Sequence, residues 1–278
     1  MSILIIGDRS FIGSSLKIRP ETADWTFISH NQALDNEIWA CKPQCVLNLA
    51  MDPVVKEGRF SDFDRILAQK TQEGGGHYIM MSSRTAYGVA PEEQYVTLQE
   101  ETPSFNTMTP YGQAKLEIEQ DLLQTIEPDL CTILRASNVF GMEYTMQKPR
   151  ASFLGQMLYS LKKDNIINFD MAAETKRDFI PIGTFLSALI SIVTQPKPGL
   201  LNIGSGVGTR CGDLAQWVIQ GYGSGTLEVK SNATIKDSFV LSGEKLICDY
   251  NNLHSNFNFI SKEIRSHCIA IGCKLKDS

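Results

Sequence analysis

Hydrophobic and polar positions along the first half of the chain predict short strands separated by helices. Branched, apolar runs predict buried strands at residues 2–7, 25–29, 45–49, 77–81 and 131–135. Two-faced or helix-favouring stretches between them predict helices at about 11–18, 36–41, 60–72 and 110–126. Strands that alternate with helices at this spacing indicate an α/β fold with a doubly wound, parallel sheet.

The pattern is less regular after Gly141. It predicts helices at 152–162 and 183–194, short strands at 179–182 and 200–204, and weaker strands at 226–230 and 238–241. We therefore expect a Rossmann-type dinucleotide-binding domain over residues 1–145, with a return of the chain around 178–205. A smaller C-terminal α/β substrate lobe is expected from residues 146–177 and 206–278.

Composition narrows the range of functions. The 278 residues are 42% hydrophobic, which is enough for a large core, and the net charge is -5 with a pI near 5.5. An acidic chain without basic runs is not expected to bind nucleic acid or an anionic membrane. Residues 1–7 lack a basic segment and are too short to span a membrane, so we expect a cytoplasmic protein that binds small molecules.

The cysteines do not form a recognisable metal motif. There are seven, and none forms a Cys-x-x-Cys pair. Cys41 with Cys45, and Cys268 with Cys273, are close in sequence, but no second pair or nearby histidine completes a tetrahedral site. We expect reduced, mostly buried thiols and no bound metal.

The first predicted strand ends in the turn Gly7-Asp8-Arg9-Ser10-Phe11-Ile12-Gly13. Ligands of doubly wound sheets bind beyond the carboxyl ends of the strands, where glycines let a backbone approach a pyrophosphate at a helix N-terminus. The spacing here is GxxSxxG and not GxGxxG. We interpret it as a dinucleotide-binding turn, with a plain turn as the alternative.

The end of the second strand bears on which dinucleotide binds. It has the sequence Phe27-Ile28-Ser29-His30-Asn31, without the carboxylate that usually binds the ribose hydroxyls of NAD and would repel a 2'-phosphate. Arg9, in the first turn, lies where it could reach such a phosphate. This favours NADP, with NAD possible, unless Arg9 is an ordinary solvated residue.

Tyr111 and Lys115 form a candidate pair for proton transfer. Four-residue spacing on a helix brings a phenol and an ammonium together, and a cation is needed to make tyrosine, with a pKa of about 10, a useful base. Two further pairs, Tyr144 with Lys148 and Tyr159 with Lys163, have the same spacing, so spacing alone does not identify a site. Only the first pair lies at a predicted helix start, with Thr109 as cap and Pro110 in the first turn.

A hydroxyl-rich segment, residues 82–88, follows the predicted strand at 77–81. Hydroxyls at the carboxyl end of a strand lie where a substrate oxygen can be held. Ser83 precedes Tyr111 by a span that permits Ser83, Tyr111 and Lys115 to converge on one cleft, although the segment alone is also compatible with an ordinary turn.

Seven ordered blocks across residues 3–206 resemble the extended short-chain dehydrogenase/reductase family, whose members mostly modify nucleotide-activated sugars. Besides the first turn and the Tyr-x-x-x-Lys helix, five blocks match: Val46 to Ala50, Ser82 to Gly88, Arg135 to Gly141, Arg177 to Ile180 and Asn202 to Gly206. The last seventy residues match poorly.

The resemblance implies roles for the matched residues. Tyr111 is the acid/base, Lys115 lowers its pKa and holds the nicotinamide ribose, and Ser83 binds the reacting oxygen. The predicted cofactor-binding set is Gly7, Arg9, Ser10, Phe11, Ile12, Gly13, His30, Leu49, Ala50, Ser82, Tyr111 and Lys115. The predicted substrate-binding set is Ser83, Arg84, Asn138 and Arg177, of which Asn138 and Arg177 match positions that contact the diphosphate.

Departures from the family pattern refine the expected activity. Ser10 replaces the usual middle glycine, and the short span between the second strand and Ala50 suggests that a strand and helix of the family sheet are trimmed. Arg84 and Thr85 stand where 4,6-dehydratases carry an acidic pair. We therefore expect an NAD(P)-dependent reductase of a 4-keto nucleotide sugar, with a 4-epimerase or a non-catalytic dinucleotide sensor as alternatives. A homodimer through the Tyr111 helix is a further implication of the resemblance.

Overall fold

The structure is a computed structural model and describes residues 1–142 and 152–277. The strands are β1 Ile3–Ile6, β2 Thr26–Ile28, β3 Cys45–Asn48, β4 His77–Ser83, β5 Tyr95–Leu98, β6 Cys131–Ala136, β7 Asn138–Phe140, β8 Ile166–Phe169, β9 Lys176–Pro181, β10 Gly199–Ile203, β11 Gly208–Arg210, β12 Thr226–Val229 and β13 Ser238–Leu241.

The helices are α1 Phe11–Lys17, α2 Asn36–Trp39, α3 Pro53–Lys56, α4 Phe63–Glu73, α5 Pro110–Thr125, α6 Phe153–Asp164, α7 Ile182–Thr194, α8 Cys211–Tyr222, α9 Glu244–Asp249, α10 His254–Phe257 and α11 Ile260–Asp277. Short 3-10 turns connect several of them. The one at Arg84–Tyr87, directly after β4, is important for the site described below.

A six-stranded parallel sheet forms the centre of the fold, in the order β10-β6-β4-β3-β1-β2. This confirms the predicted doubly wound α/β class. The chain runs from β1 outward to β2 and then crosses directly to β3 on the other side of β1, which is the shortening that the sequence suggests. Strand order reverses between β1 and β3, and a crevice at their carboxyl ends is where ligands of such sheets bind.

Alternating residues of the strands bury both faces of this sheet. Ile3 and Ile5 face a core that includes Leu16 of α1 and Phe185 of α7. Leu4 and Ile6 face the opposite core, which includes Leu67 of α4 and Ile118 and Leu122 of α5. The helices thereby cover both faces of the sheet and hold its strand ends in fixed register.

A third core lies outside the sheet and joins α6, α8 and α11 with β8 and β9. The hydrophobic pattern of the sequence does not predict α8 or α11, which pack against each other. The predicted domain boundary between residues 145 and 146 lies outside the described residues, and so does the Tyr144 and Lys148 pair. The division into a dinucleotide-binding domain and a substrate lobe therefore stays a prediction, although β10 does return to the sheet beside β6.

Candidate functional site

The turn between β1 and α1 brings the ends of three strands together. The N–H of Gly7 donates to the carbonyl of Ile28, at the end of β2, at 2.8 Å. Gly7 has a φ of +101°, and a Cβ atom there would lie 2.7 Å from the backbone nitrogen of Ala50, just after β3. A Cβ at Gly13 would lie 2.2 Å from the Gly7 carbonyl oxygen. Both glycines therefore allow the close backbone approach that a pyrophosphate-binding turn requires.

Ser10 caps the helix that follows. Its side-chain oxygen accepts a hydrogen bond from the Gly13 N–H at 2.9 Å, as an N-cap serine commonly does. The hydroxyl is thereby held against the start of α1. A serine in place of the middle glycine thus stabilises the helix start, and the turn keeps its close contact with β3.

Two neighbouring cavities open at this edge of the sheet. The first, of about 460 Å³, extends from the turn over the ends of β3, β4 and β6 to α6. The second, of about 900 Å³, lies over the end of β2. Tyr111 lines both, and so do Ser10, Phe11, Leu49 and Ala50.

The predicted residues divide between these cavities. Some predicted residues line only one of the two cavities. Those that line only the first are Ile12, Ser82, Ser83, Lys115 and Asn138. Those that line only the second are Gly7, Arg9 and His30. Gly13 supports the turn without lining either cavity.

Tyr111 occupies the second position of α5, which starts as predicted with Pro110 in its first turn and with Thr109 as its cap. Burial raises the pKa of Tyr111 above its usual value of 10, and the Asp64 carboxylate acts in the same direction. Interaction with the Ser83 hydroxyl lowers it. Because burial dominates, Tyr111 is a neutral phenol at physiological pH and is suited to donate a proton.

Lys115 lies one turn further along α5 and is only 3% exposed. Its ammonium donates a hydrogen bond to the carbonyl oxygen of Met81 in β4, at 3.0 Å. A cation is thus held beside the end of β4, on the wall of the first cavity. The pKa of Tyr111 is raised, mainly by burial, and the lowering by Lys115 that the resemblance implies stays a prediction.

Ser83, the last residue of β4, faces the first cavity. Its side-chain oxygen accepts hydrogen bonds from the N–H of Thr85 at 3.2 Å and from the Thr85 hydroxyl at 3.0 Å. The structure therefore brings Ser83, Tyr111 and Lys115 to one cavity, as the sequence predicts.

Ser82 also lines this cavity, but its hydroxyl is used elsewhere. It donates to the carboxylate of Glu119, which is itself paired with the Arg135 guanidinium at 2.6 Å in a buried site. The Arg135 guanidinium also lies 4.1 Å from the ring centroid of Tyr87. This network links β4, α5 and β6 beneath the cavity, so only the rest of Ser82 is left to contact a ligand.

Arg84 does not line any of the three cavities described in this subsection, and its predicted contact with substrate stays a prediction. Its guanidinium forms a two-pronged ion pair with the Asp237 carboxylate, including one bond of 2.9 Å, and lies 4.1 Å from the Phe239 ring centroid. The side chain therefore connects the end of β4 to the segment before β13. Its charge is already neutralised by a partner within the protein.

Asn138 and Arg177 lie in different places. Asn138 lines the first cavity, and its side-chain nitrogen donates to the Asp178 carbonyl at 2.7 Å. Arg177 lines a third cavity, of about 250 Å³, where its guanidinium lies 5.3 Å from the centroid of the Phe153 ring. Phe153 lines both the first and the third cavity, and the Arg177 guanidinium donates to the carbonyl oxygens of Asp237 and Lys236 at 3.3 and 3.4 Å.

The second cavity carries charges of both signs. Arg9 and Lys56 are exposed on its wall. Asp8 also lines it, with its carboxylate 3.8 Å from the Lys17 ammonium. His30 is stacked on Phe63, with 4.2 Å between the ring centroids, and is thereby held at the end of β2.

Three further residues near the site, Lys56, Asp64 and Asp178, are not recognisable as site residues from the sequence pattern. Asp64 is buried on α4 and accepts hydrogen bonds from Asn48 and Tyr78, at 2.8 and 2.7 Å. Asp178 is fully buried and accepts from the backbone N–H groups of Ser205 and Leu241. Its position beside Arg177 in a matched block is the one signal that could have identified it.

Metal ligands and membrane spans are not found in the part of the chain that the structure describes. No group of three or more His, Cys, Asp or Glu residues there could hold a metal ion. No helix within residues 1–142 and 152–277 is long and apolar enough to cross a membrane. Four cysteines, at positions 45, 131, 211 and 268, are buried, and those at 41, 248 and 273 are exposed.

Comparison with known proteins gives one family match. A family model described as the NAD dependent epimerase/dehydratase family matches residues 62–204. No curated protein matches the sequence.

Solved structures share the fold over the whole chain. RMD from Pseudomonas aeruginosa, complexed with NADPH, is 18% identical with a TM-score of 0.75, and the match covers 100% of both chains. UDP-N-acetylglucosamine 4-epimerase from Methanobrevibacter ruminantium, in complex with UDP-N-acetylmuramic acid, is 16% identical with a TM-score of 0.74 over 100% of this chain and 99% of that one. TunA, an NAD-dependent NDP-hexosamine 5,6-dehydratase, is 18% identical with a TM-score of 0.75 over the same shares. At these identities the likeness shows the fold alone.

Proposed function

This chain belongs to the NAD dependent epimerase/dehydratase family, and from that premise we propose that it uses NADP(H) to reduce the 4-keto group of a nucleotide-activated sugar. The observation that carries the proposal is the place of Tyr111, which lines both main cavities. A dinucleotide that extends from one cavity to the other passes this phenol. A substrate in the first cavity meets the same phenol from the other side.

The residues of the first turn fit a dinucleotide. The Gly7 and Gly13 positions have no room for a Cβ atom, and the turn between them contributes Ser10 and Phe11 to both cavities. Gly7, Ser10, Phe11, Ile12, Leu49 and Ala50 would hold the cofactor there, with Gly13 supporting the turn. When bound, the reduced nicotinamide supplies the hydride.

The carbonyl oxygen gains negative charge as hydride adds to the carbonyl carbon, and the chain's own residues stabilise and protonate this oxygen. Tyr111 donates its phenolic proton to this oxygen. Ser83 donates a hydrogen bond to it, and the Lys115 ammonium, 3.0 Å from the Met81 carbonyl oxygen, would hold the nicotinamide ribose. A positioned proton donor of this kind contributes about 10² to 10⁴ in rate.

Two features support reduction over elimination of water. Tyr111 is buried as a neutral phenol, which is the form that donates a proton during reduction. The two residues after Ser83 are Arg84, which is paired with Asp237, and Thr85, which bonds to Ser83, so neither supplies a carboxylate to the substrate.

The charge of the second cavity supports NADP as the cofactor. Arg9 and Lys56 are exposed cations on its wall, near Ser29, His30 and Asn31 at the end of β2. Asp8 is the carboxylate on this wall, and the Lys17 ammonium lies 3.8 Å from it. The 2'-phosphate of NADP would thus lie near two cations, and no carboxylate at the end of β2 would repel it.

For the substrate, we propose that Asn138 contacts the diphosphate in the first cavity and that Arg177 contacts it from the third. Phe153 lines both of these cavities, and its ring centroid lies 5.3 Å from the Arg177 guanidinium. An arginine is the side chain best suited to bind phosphate oxygens in two places at once.

The proposal can be tested with purified protein and a panel of 4-keto nucleotide sugars. We expect oxidation of NADPH, faster than of NADH, with one NADPH consumed per keto sugar reduced. Interconversion of two nucleotide sugars without net use of cofactor would instead identify a 4-epimerase. Cofactor binding without turnover of either kind would identify a sensor and contradict the proposal.

The oligomeric state is a separate proposal. We propose a homodimer that forms through α5 and its neighbour α4, a surface on which Leu123 is 54% exposed. Light scattering of the purified protein tests it, and Leu123→Glu should shift a dimer toward the monomer. A monomer at all concentrations would contradict this arrangement.

A further inference from the structure

Thr85 controls both acceptor positions of the candidate catalytic hydroxyl. A serine hydroxyl can accept two hydrogen bonds and donate one. The Ser83 oxygen accepts one bond from the Thr85 N–H, at 3.2 Å, and one from the Thr85 hydroxyl, at 3.0 Å. The single proton of Ser83 is then left for a partner in the cavity that Ser83 shares with Tyr111.

The same residue also determines where the Tyr111 helix lies. The carbonyl oxygen of Thr85 accepts a hydrogen bond from the Gly88 N–H at 3.0 Å, which closes the 3-10 turn. A Cβ atom at Gly112, next to Tyr111, would lie 2.3 Å from this oxygen. The first turn of α5 therefore packs directly against Thr85, and Gly112 makes that contact possible.

The neighbouring serine shows that this arrangement is specific. Successive side chains of a strand point to opposite faces, and Ser82 at the end of β4 donates its proton to Glu119. Glu119 is fixed in turn by its ion pair with Arg135. The register of β4 is thus fixed from one side by Glu119, while Thr85 orients Ser83 on the other side.

We propose that Thr85 is a positioning residue that fixes the Ser83 hydroxyl as a hydrogen-bond donor toward the reacting oxygen beside Tyr111. This inference rests on the proposed function, since it concerns the same reaction. A donor that already points at the developing charge needs no reorientation during the reaction, and such preorganised donors account for much of the stabilisation of a transition state. Without the Thr85 hydroxyl, the Ser83 hydroxyl can rotate and offer a lone pair in place of its proton.

The test compares Thr85→Val, which removes the hydroxyl at nearly constant size, with Thr85→Ser, which keeps it. Both variants keep the backbone N–H. We expect Thr85→Val to lower kcat about tenfold, less than the 10²–10³ lost with a direct oxyanion donor. KM for the nucleotide sugar and Kd for NADPH should stay within about twofold, and Thr85→Ser should restore kcat to within about threefold of wild type.

A double-mutant cycle shows whether the effect acts through Ser83. If it does, Thr85→Val should have no further effect on kcat in a Ser83→Ala background. An equal loss in both backgrounds, or no loss in the wild-type background, would overturn the inference while leaving the proposed function intact. The same constants apply to interconversion rates if the chain is an epimerase.

A crystal structure of Thr85→Val provides a readout that does not depend on turnover. We expect the Ser83 side chain to adopt a different rotamer or to occupy more than one, with the fold unchanged. A Ser83 oxygen that stays in place, with the same distance to the Tyr111 oxygen as in wild type, would contradict the inference even if no substrate were found.

Discussion

Two pairs with the same Tyr-x-x-x-Lys spacing lie on different helices, and their surroundings are opposite. In α5, Lys115 is 3% exposed and donates to the Met81 carbonyl, while Tyr111 lines both main cavities. In α6, Tyr159 is 38% exposed, and the Lys163 ammonium lies 5.7 Å from its ring centroid, on the surface. Spacing only places two side chains on one face of a helix. The two pairs differ because the helix face of the first pair borders the cavities, whereas that of the second is exposed to solvent.

The difference arises from where each helix starts relative to the sheet. Tyr111 is the second residue of α5, whose first turn packs on the 3-10 turn after β4, at the carboxyl edge. Tyr159 is in the middle of α6, which begins at Phe153. A tyrosine in the first turn at this edge is brought to the ligand cavity, whereas one in mid-helix can face solvent.

The largest effect that separates the pairs should come from removing the phenolic hydroxyls. We expect Tyr111→Phe to lower the rate of keto-sugar reduction by about 10² to 10⁴, because the proton donor is lost. Tyr159→Phe, the matched control, should leave it unchanged. Steady-state rates of NADPH oxidation measure both, and equal rates for Tyr111→Phe and wild type would contradict the assigned role.

Replacing the lysine of each pair should give a smaller difference between the two pairs than replacing the tyrosine. Lys115→Met is expected to weaken NADPH binding by about 10- to 100-fold, the equivalent of one charge-assisted hydrogen bond. Lys163→Met should have no effect, since that ammonium is on the surface. Fluorescence titration with NADPH gives both dissociation constants, and unchanged binding by Lys115→Met would remove Lys115 from the cofactor site.

A methyl group beside Tyr111 tests the tight packing of its helix. Gly112→Ala places a Cβ atom 2.3 Å from the Thr85 carbonyl oxygen, so we expect the free energy of unfolding to fall by about 1–3 kcal/mol, as for overpacked sites. Gly183→Ala at the start of α7, where no atom lies within 4 Å of the new Cβ, is the control. It should be neutral or slightly stabilising. Thermal unfolding compares the two, and an unaffected Tm for Gly112→Ala would show that α5 can move away from the 3-10 turn.

The smallest expected effect is that of pH on reduction. Because burial raises the pKa of Tyr111 above 10, the phenol keeps its proton below that value and loses it as pH rises through the raised pKa. Single-turnover reduction rates should therefore vary less than about twofold between pH 6 and 9 and fall only at higher pH. A fall already near pH 7 or 8 would mean that the phenol ionises more readily than its burial implies.

Much of the sheet and the convergence of Ser83, Tyr111 and Lys115 could be predicted, because both depend on local patterns. Buried parallel strands are continuous apolar runs, and helix caps mark where α5 begins. The helices α8 and α11 were missed even though Ile264, Cys268, Ile271 and Leu275 recur at helical spacing. The apolar face that these residues form on α11 packs on α8, an element of the same poorly matched region, so no matched block marks the surface that the helix covers.

The pairing of Arg84 with Asp237 could not be predicted for a different reason. Asp237 is 153 positions away in the sequence, and no local pattern records that pairing. The use of the Ser82 hydroxyl by Glu119 is a similar case, 37 positions apart, although strand alternation alone places Ser82 and Ser83 on opposite sides. Residue type and spacing identify candidates for a site, and contacts distant in sequence decide which side chains remain available to a ligand.

We propose that hydride moves from NADPH to the carbonyl carbon of the sugar while Tyr111 protonates the oxygen, and NADPH deuterated at the transferred position follows the hydride. We expect one deuterium at the former carbonyl carbon of the product for each NADP formed with the wild-type protein. With Tyr111→Phe the same transfer should slow by about 10² to 10⁴. Deuterium that stays on the cofactor while nucleotide sugars interconvert, or no transfer to any keto sugar, would contradict this proposal.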